Sequence, residues 1–450
     1  MERADLSRAG LMGERSGGVS PVLALAAAII LAPAQVWAEI PYEREPIRYL
    51  TAQPTDPVAQ LKQRLERGES SLSYDSQHGY LPALLKALKI PVSSQVLVFS
   101  KTSFQRTLIS PAAPRAIYFN DDVYVGFVQG GDVLEFSAAD PDLGGTFYLM
   151  DQAERPKPAL VRQTHDCLQC HASGKTEDVP GHLVRSVFPD ADGQPIFNAG
   201  TFTTTDESPW KERWGGWYVT GKHGRQVHMG NVVVTDPKQP ETLDQVAGAN
   251  VTDLSKRFDV TPYLSRHSDL VALMVLQHQT KMHNLITAAN FQGRIALEYA
   301  AAINKALGRP AEEVSEGTLA RIKGPAEELV KYLLFVDEAE LTDPVEGTAG
   351  FAREFAARGP RDPRGRSLRE FNLKTRLFQY PCSYLVYSRS FDAMPAMVKT
   401  QVYRRLWEVL SGQDQSPAFA RRTSQERQAI REILEATKPD LRQAWNELRP

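Results

Sequence analysis

The sequence predicts an α+β protein, with a β-rich antiparallel first half followed by an α-helical second half. Two observations carry this. Between residues 95 and 234, short apolar runs with a period of two are broken by Gly, Asn and Asp turns; from residue 269 onward the apolar spacing becomes helical. A polar stretch with two prolines over residues 236–250 separates the patterns. The expected organisation is therefore a leader over 1–38, a β-rich domain over 39–245 and a helical domain over 246–450.

In chain order, Asp56 is placed to cap a short helix over 57–66, and a second helix over 81–88 ends before Pro91. Strands are expected over 95–100, 116–119, 123–128, 133–137 and 146–150, separated by Asn120-Asp121-Asp122, Gln129-Gly130-Gly131 and Asp142-Leu143-Gly144-Gly145. This is an antiparallel meander. Further strands are expected over 184–188, 200–204, 214–220 and 226–234, the last two joined through Lys222-His223-Gly224. Asp190 and Asp192 hint at a calcium loop, but Phe188 occupies the first ligand position and the acidic run stops at Gly193, so a plain turn is expected. The helical half should hold helices over 269–306, 325–336, 395–410 and 424–437, the first stopped by Gly308 and Pro310 and two opened by proline. No internal repeat or low-complexity tract is present.

The formal charge of −2, from 52 basic and 54 acidic residues, offers no field for nucleic acid. H-E-x-x-H, G-x-S-x-G, P-loop and dinucleotide fingerprints are all missing from the sequence, which removes the usual support for zinc hydrolases, serine hydrolases and nucleotide enzymes.

At the N-terminus, Arg3, Arg8 and Arg15 precede an apolar run over 22–32, followed by Pro33 and the small-residue end Val36-Trp37-Ala38. This reads as a signal peptide cleaved after Ala38, and Met12 is an alternative start. An uncleaved anchor over 21–38 is the competing reading, at the lower limit for spanning a bilayer. Export to the periplasm or beyond is expected, with no transmembrane segment after cleavage.

The chemistry-bearing motif is Cys167-Leu168-Gln169-Cys170-His171. C-x-x-C-H is the spacing at which two thiols can hold haem covalently while the adjacent imidazole ligates its iron. A C-x-x-C pair also occurs as half of a zinc site or as a redox-active dithiol. Zinc needs a second ligand pair at short spacing, whereas Cys382 is single and distant. A thioredoxin-like dithiol should open a helix within a βαβ unit, and no such unit surrounds it. Cys382, in Tyr380-Pro381-Cys382-Ser383-Tyr384, reads as a small buried apolar thiol with no disulfide partner.

Over those five residues the chain resembles a c-type cytochrome. The resemblance implies one covalently attached haem c, with thioethers on Cys167 and Cys170 and His171 as the proximal iron ligand. Small cytochromes of this class are all-helical with the motif near the start; here strands flank it on both sides.

The second axial ligand would decide between electron transfer and small-molecule binding. The segment holding Met274, His278, Met282 and His283 ranks first; the first three share a helical face, with His283 about 140° around from His278. His228 and Met229 come next, on opposite faces of a predicted strand, and His182 ranks below both. The competing reading makes these residues ordinary core. His165 reads as a local hydrogen-bonding group, and His78, His223 and His267 as turn or surface residues.

Residues 353–376 are rich in arginine. Such a segment suits either a solvated loop or a dock for an acidic redox partner or the haem propionates. Trp210, Trp214, Trp217 and Tyr218 suit either a haem pocket wall or a core. The leading function is an exported monohaem cytochrome that transfers single electrons to a redox partner protein. The alternatives are a haem enzyme with an open distal site, for which Lys101 is a candidate cross-linking lysine, and a haem-based ligand sensor.

Overall fold

A computed structural model describes residues 41–449; the expected signal peptide lies outside the described residues. Helix α1 (Pro57–Glu66) starts where expected, because Asp56 Oδ1 accepts from the amides of Val58 and Ala59 at 2.7 and 2.9 Å. Helix α2 (Leu81–Ala87) follows, then strands β1 (Val96–Val98), β2 (Arg115–Phe119), β3 (Val123–Phe127), β4 (Val133–Asp140), β5 (Gly144–Asp151) and β6 (Leu160–Gln163). They pair antiparallel in one sheet of order β6-β5-β4-β3-β2-β1-β9, where β9 is Trp217–Tyr218. Strand β6 was not expected from the sequence; it is half exposed and leads straight to the motif.

Beyond β6 come one helical turn, α3 (Leu168–His171), and a separate ribbon of β7 (Arg185–Val187) and β8 (Thr201–Thr203). Short strands β10 (Gly221–Lys222) and β11 (Glu346–Gly347) pair across the two halves of the chain. The helical half holds α4 (Leu270–Ala306), α5 (Glu316–Leu333), α6 (Phe351–Ala356), α7 (Arg389–Asp392), α8 (Ala396–Leu410), α9 (Ser424–Thr437) and α10 (Pro439–Leu448). The α+β layout is thus as expected.

Local readings differ: the strand expected over 214–220 is reduced to β9, helices α6, α7 and α10 were not expected, and three further differences have a visible cause. Residues 226–234 form no strand, because Asn231 adopts φ 69° and its carboxamide takes over the backbone of Val219, accepting from its amide and donating to its carbonyl at 2.8 Å each. Helix α5 starts at Glu316, capped by Ser315 Oγ, and runs through Pro325. Pro395 is the N-cap of α8, one position before the helix itself.

Helix α4 is the central element. From Leu270 to Asn290 nearly every residue is buried on all sides, the signature of a helix enclosed by protein. It joins β1, Trp214, Trp217 and helices α5 and α8 in one hydrophobic cluster. The opposite face of the sheet packs on α1 and α2 in a second. Each fully buried Leu or Val there contributes about 1.5–3 kcal/mol.

Candidate functional site

The pleat sends alternate side chains to opposite faces of the sheet. Ala116, Tyr118, Val123, Val125, Leu134 and Ala138 enter the cluster with α1 and α2. Their neighbours on the other face line a cavity of about 540 Å³: Arg115 and Ile117, Tyr124 and Gly126, Glu135 and Ser137, Phe147 and Leu149. Leu276 and Thr280 of α4 and Trp217 close it, and Cys167, Cys170 and His171 all stand on its wall. That volume suits a cofactor-sized ligand.

The motif is folded into a single turn, with the amide of His171 donating to the carbonyl of Cys167 at 3.0 Å. Leu168 points away from solvent into a cluster with Tyr42, Tyr49, Leu143, Phe147 and Phe291, which anchors the turn. Cys170 is exposed and Cys167 half-buried, and neither is in a disulfide. Burial, reinforced by Glu135, pushes the Cys167 thiol up to about 11, so it is protonated at neutral pH.

His171 is held in one tautomer. Its Nδ1 lies 3.0 Å from the carbonyl oxygen of Gly181; since a carbonyl only accepts, Nδ1 carries the proton and Nε2 the lone pair. The ring rests on Phe147 at 4.9 Å, and burial lowers its pKa, keeping the imidazole neutral. The amide of Gly181 returns a bond to the carbonyl of His171 at 2.8 Å. Only glycine fits at 181, because a Cβ there would come 2.2 Å from Asn284 Oδ1.

His182, the next residue, also lines the cavity. Asn284 of α4 clasps its backbone, accepting from the amide at 2.8 Å and donating to the carbonyl at 2.7 Å. Its Nδ1 is hydrogen-bonded to Ser137 Oγ at 2.7 Å, and its buried Nε2 has no partner. Burial holds its pKa well below the usual histidine range, with the nearby His283 and His171 adding to the effect. A buried polar atom without a partner marks strain, function or an absent bound group.

Arg115 and Glu135 form an ion pair at 2.5 Å on the cavity floor. The guanidinium lies over Gly126, where a Cβ would come 2.3 Å from Nη2, so glycine leaves room for it. Lys101, Arg106 and Arg185 line the same cavity, as do the exposed rings of Phe104 and Phe197.

The other candidate axial ligands lie elsewhere. His228 is fully buried between Trp214 and His223, its Nδ1 accepting from the amide of Gly230. Met229 is buried beside Ser186. Met274 and Met282 belong to the helical core. His283 binds the carbonyl of Asp121 through Nε2 at 2.8 Å, with its ring 5.9 Å from that of His182. His278 stacks on Tyr332 and Phe335 and hydrogen-bonds Ser383 Oγ through Nε2 at 2.8 Å. With Asp206 Oδ2 3.4 Å from its Nδ1, this resembles a Ser-His-Asp order. Ser383 and His278 expose none of their surface, however, so no substrate reaches the hydroxyl in this conformation.

Several secondary readings are also decided. His165 bonds its neighbour Thr164, whereas His223, read as turn or surface, is buried and accepts from the amide of Asn250. Asp190 caps a plain turn by accepting from the amides of Asp192 and Gln194. Cys382 is fully buried. The arginine-rich segment is partly solvated and partly knitted into the structure: Arg353, Arg361, Arg364 and Lys374 are exposed, whereas Arg369 pairs with Asp121 over the rings of Phe355 and Tyr384, and Arg366 bridges Asp362 and Glu432. Of the four aromatics at 210–218, only Trp217 lines the cavity. Among the described residues no group of three or more His, Cys, Asp or Glu is placed to hold a metal ion by itself. No helix among them is long and apolar enough to cross a membrane.

The chain matches no family model, no curated protein and no solved structure. Fold and site together define an α+β protein with a cavity on one sheet face, reached by a C-x-x-C-H turn. Arg115, Glu135 and Ser137 escaped the sequence reading. For Glu135 and Ser137 the available signal was polar residues at alternate positions of one strand; Arg115, followed by Ala116-Ile117-Tyr118-Phe119, carried no such signal.

Proposed function

We propose that this chain is an exported monohaem c-type cytochrome, carrying one haem on Cys167 and Cys170 with His171 as an iron ligand, and passing single electrons to a redox partner protein. The observation that carries the reading is the state of His171: Nδ1 tied to Gly181, lone pair left on Nε2, and both motif thiols on the wall of one 540 Å³ cavity. Metal-ligating histidines take this form, since a bond from the second ring nitrogen to a carbonyl sets the tautomer and the ring orientation.

The residues present fit the group. The two thiols are free, the cavity has apolar and aromatic walls, Gly126 makes room for the Arg115 guanidinium on its floor, and His182 on its wall has a buried ring nitrogen without a partner. Haem iron stores and releases one electron, at a potential set by its ligands and its burial. Around it, Phe147, Tyr124 and Trp217 exclude water, and Arg115 and Lys101 supply cationic groups able to bind carboxylates. Cys170 is exposed, which supports electron exchange with a partner at that edge.

The test is haem staining after denaturing electrophoresis of protein made with the c-type attachment machinery. The wild-type chain should stain and C167A/C170A should not; an unstained wild-type chain overturns the proposal.

A further inference from the structure

We infer that His182 is the second protein ligand of the iron, making the centre bis-histidine. This rests on the proposed haem attachment. Three observations support His182; His228, His278 and His283 also carry a buried ring nitrogen without a partner, and what sets His182 above them is that it lines the cavity. First, its ring belongs to the cavity lining, its Nε2 is buried without a hydrogen-bond partner, and its Nδ1 is engaged by Ser137 Oγ at 2.7 Å. A hydroxyl both donates and accepts, so Ser137 permits the tautomer with the proton on Nδ1 and the lone pair on Nε2, the arrangement found when an outer partner orients a metal-ligating histidine.

Second, the position of His182 is over-determined. Asn284 holds its amide and carbonyl at 2.8 and 2.7 Å, and the long helix that carries Asn284 is itself enclosed by core. Such a clasp serves a side chain that must be aimed; a merely buried histidine needs only a partner for each nitrogen.

Third, one segment serves both imidazoles. Gly181 accepts the Nδ1 proton of His171, and the residue joined to it is His182. Pro180 is tied in turn to the sheet, its carbonyl accepting from the amide of Gly145 at 2.6 Å. The histidines and methionines ranked higher, His228, Met229, His278, Met282 and His283, do not line this cavity.

The experiment compares wild type with H182A and H182M by optical and electron paramagnetic resonance spectroscopy, with haem staining of each as the attachment control. Wild type should be low-spin in both oxidation states and inert to carbon monoxide. Its ferric near-infrared charge-transfer band, which needs no variant, should have bis-histidine character. H182A should keep its haem stain, become high-spin and bind carbon monoxide, and added imidazole should restore the low-spin form; H182M should move the near-infrared band to histidine-methionine character. A stained wild type that is already high-spin and binds carbon monoxide overturns the inference, as does a stained H182A with an unchanged low-spin spectrum. Either result leaves attachment intact. A wild type without covalent haem overturns the attachment reading itself, and this inference falls with it.

Discussion

The imidazole of His171 and the backbone of Gly181 hold each other: Nδ1 sits 3.0 Å from the Gly181 carbonyl oxygen, and the Gly181 amide donates to the His171 carbonyl at 2.8 Å. The reciprocal pair converts a solvent-edge turn with two free thiols into a fixed site. Its stability depends on a glycine that a neighbouring carboxamide could not otherwise approach.

Gly181→Ala should therefore destabilise the protein and loosen the site. The new Cβ would fall 2.2 Å from Asn284 Oδ1, and that carboxamide is held by one bond through Oδ1 and one through Nδ2 to the His182 backbone, so it swings aside only by breaking them. Overpacking of this kind costs about 1–3 kcal/mol. Urea unfolding should show that loss, and a stability equal to wild type would refute the role assigned to Gly181.

Asp56 should be among the most sensitive stability positions outside the cavity. Its carboxylate exposes none of its surface and accepts from two helix amides, from Thr146 Oγ1 at 2.9 Å and from Tyr148 OH at 2.5 Å. Asp56→Ala leaves the two helix amides and the Tyr148 hydroxyl without their acceptor, while Thr146 Oγ1 keeps the Ala138 carbonyl at 3.2 Å, and should cost about 1.5–3 kcal/mol, the range for hydrogen bonds to a charged group. A loss below about 1 kcal/mol in chemical denaturation would show that water replaces the carboxylate.

In protein made without haem, the three thiols should react in a fixed order. Cys170 is exposed, Cys167 is half-buried with its thiol pushed up to about 11, and Cys382 is buried with its thiol pushed up to about 12. Alkylation followed by mass spectrometry at pH 8 should label Cys170 first, Cys167 slowly and Cys382 only on unfolding. Glu135→Gln removes a charge that raises the Cys167 pKa, so it should speed labelling there. Equal rates at Cys167 and Cys170 would contradict the burial seen here.

Acid should destabilise the fold partly through His283. Burial lowers its pKa to about 4, against about 6.5 for an exposed imidazole, so the unfolded chain binds a proton first as pH falls. This contribution is complete above pH 6.5 and is lost between about 6.5 and 4, at up to about 1.4 kcal/mol per pH unit. His283→Gln can keep the bond to the Asp121 carbonyl and should flatten the stability profile in that window by up to this slope. Parallel profiles for variant and wild type would rule out the histidine as a source.

The meander was legible because one sheet face is solidly apolar, so Val123, Val125 and Phe127 repeat at every second position. Helix α4 was legible because its apolar run is long and its cap, Asp269, stands at the boundary. Residues 226–234 misled because their apolar alternation matches a strand, whereas the Asn231 side chain satisfies the Val219 backbone in place of a neighbour. His182 was ranked low because nothing local distinguishes it; its partners Ser137 and Asn284 are 45 and 102 positions away.

By itself the sequence determined the meander from β2 to β5, the long helices behind it and the five-residue motif, because propensity, periodicity and thiol spacing act over a few residues. Tertiary structure alone decided which face of the sheet became a cavity, which second histidine came to line it, and that Arg366 and Arg369 of the arginine-rich segment are tied into ion pairs. Those outcomes depend on contacts between residues far apart in the chain, and packing must bring them together before any of their chemistry exists.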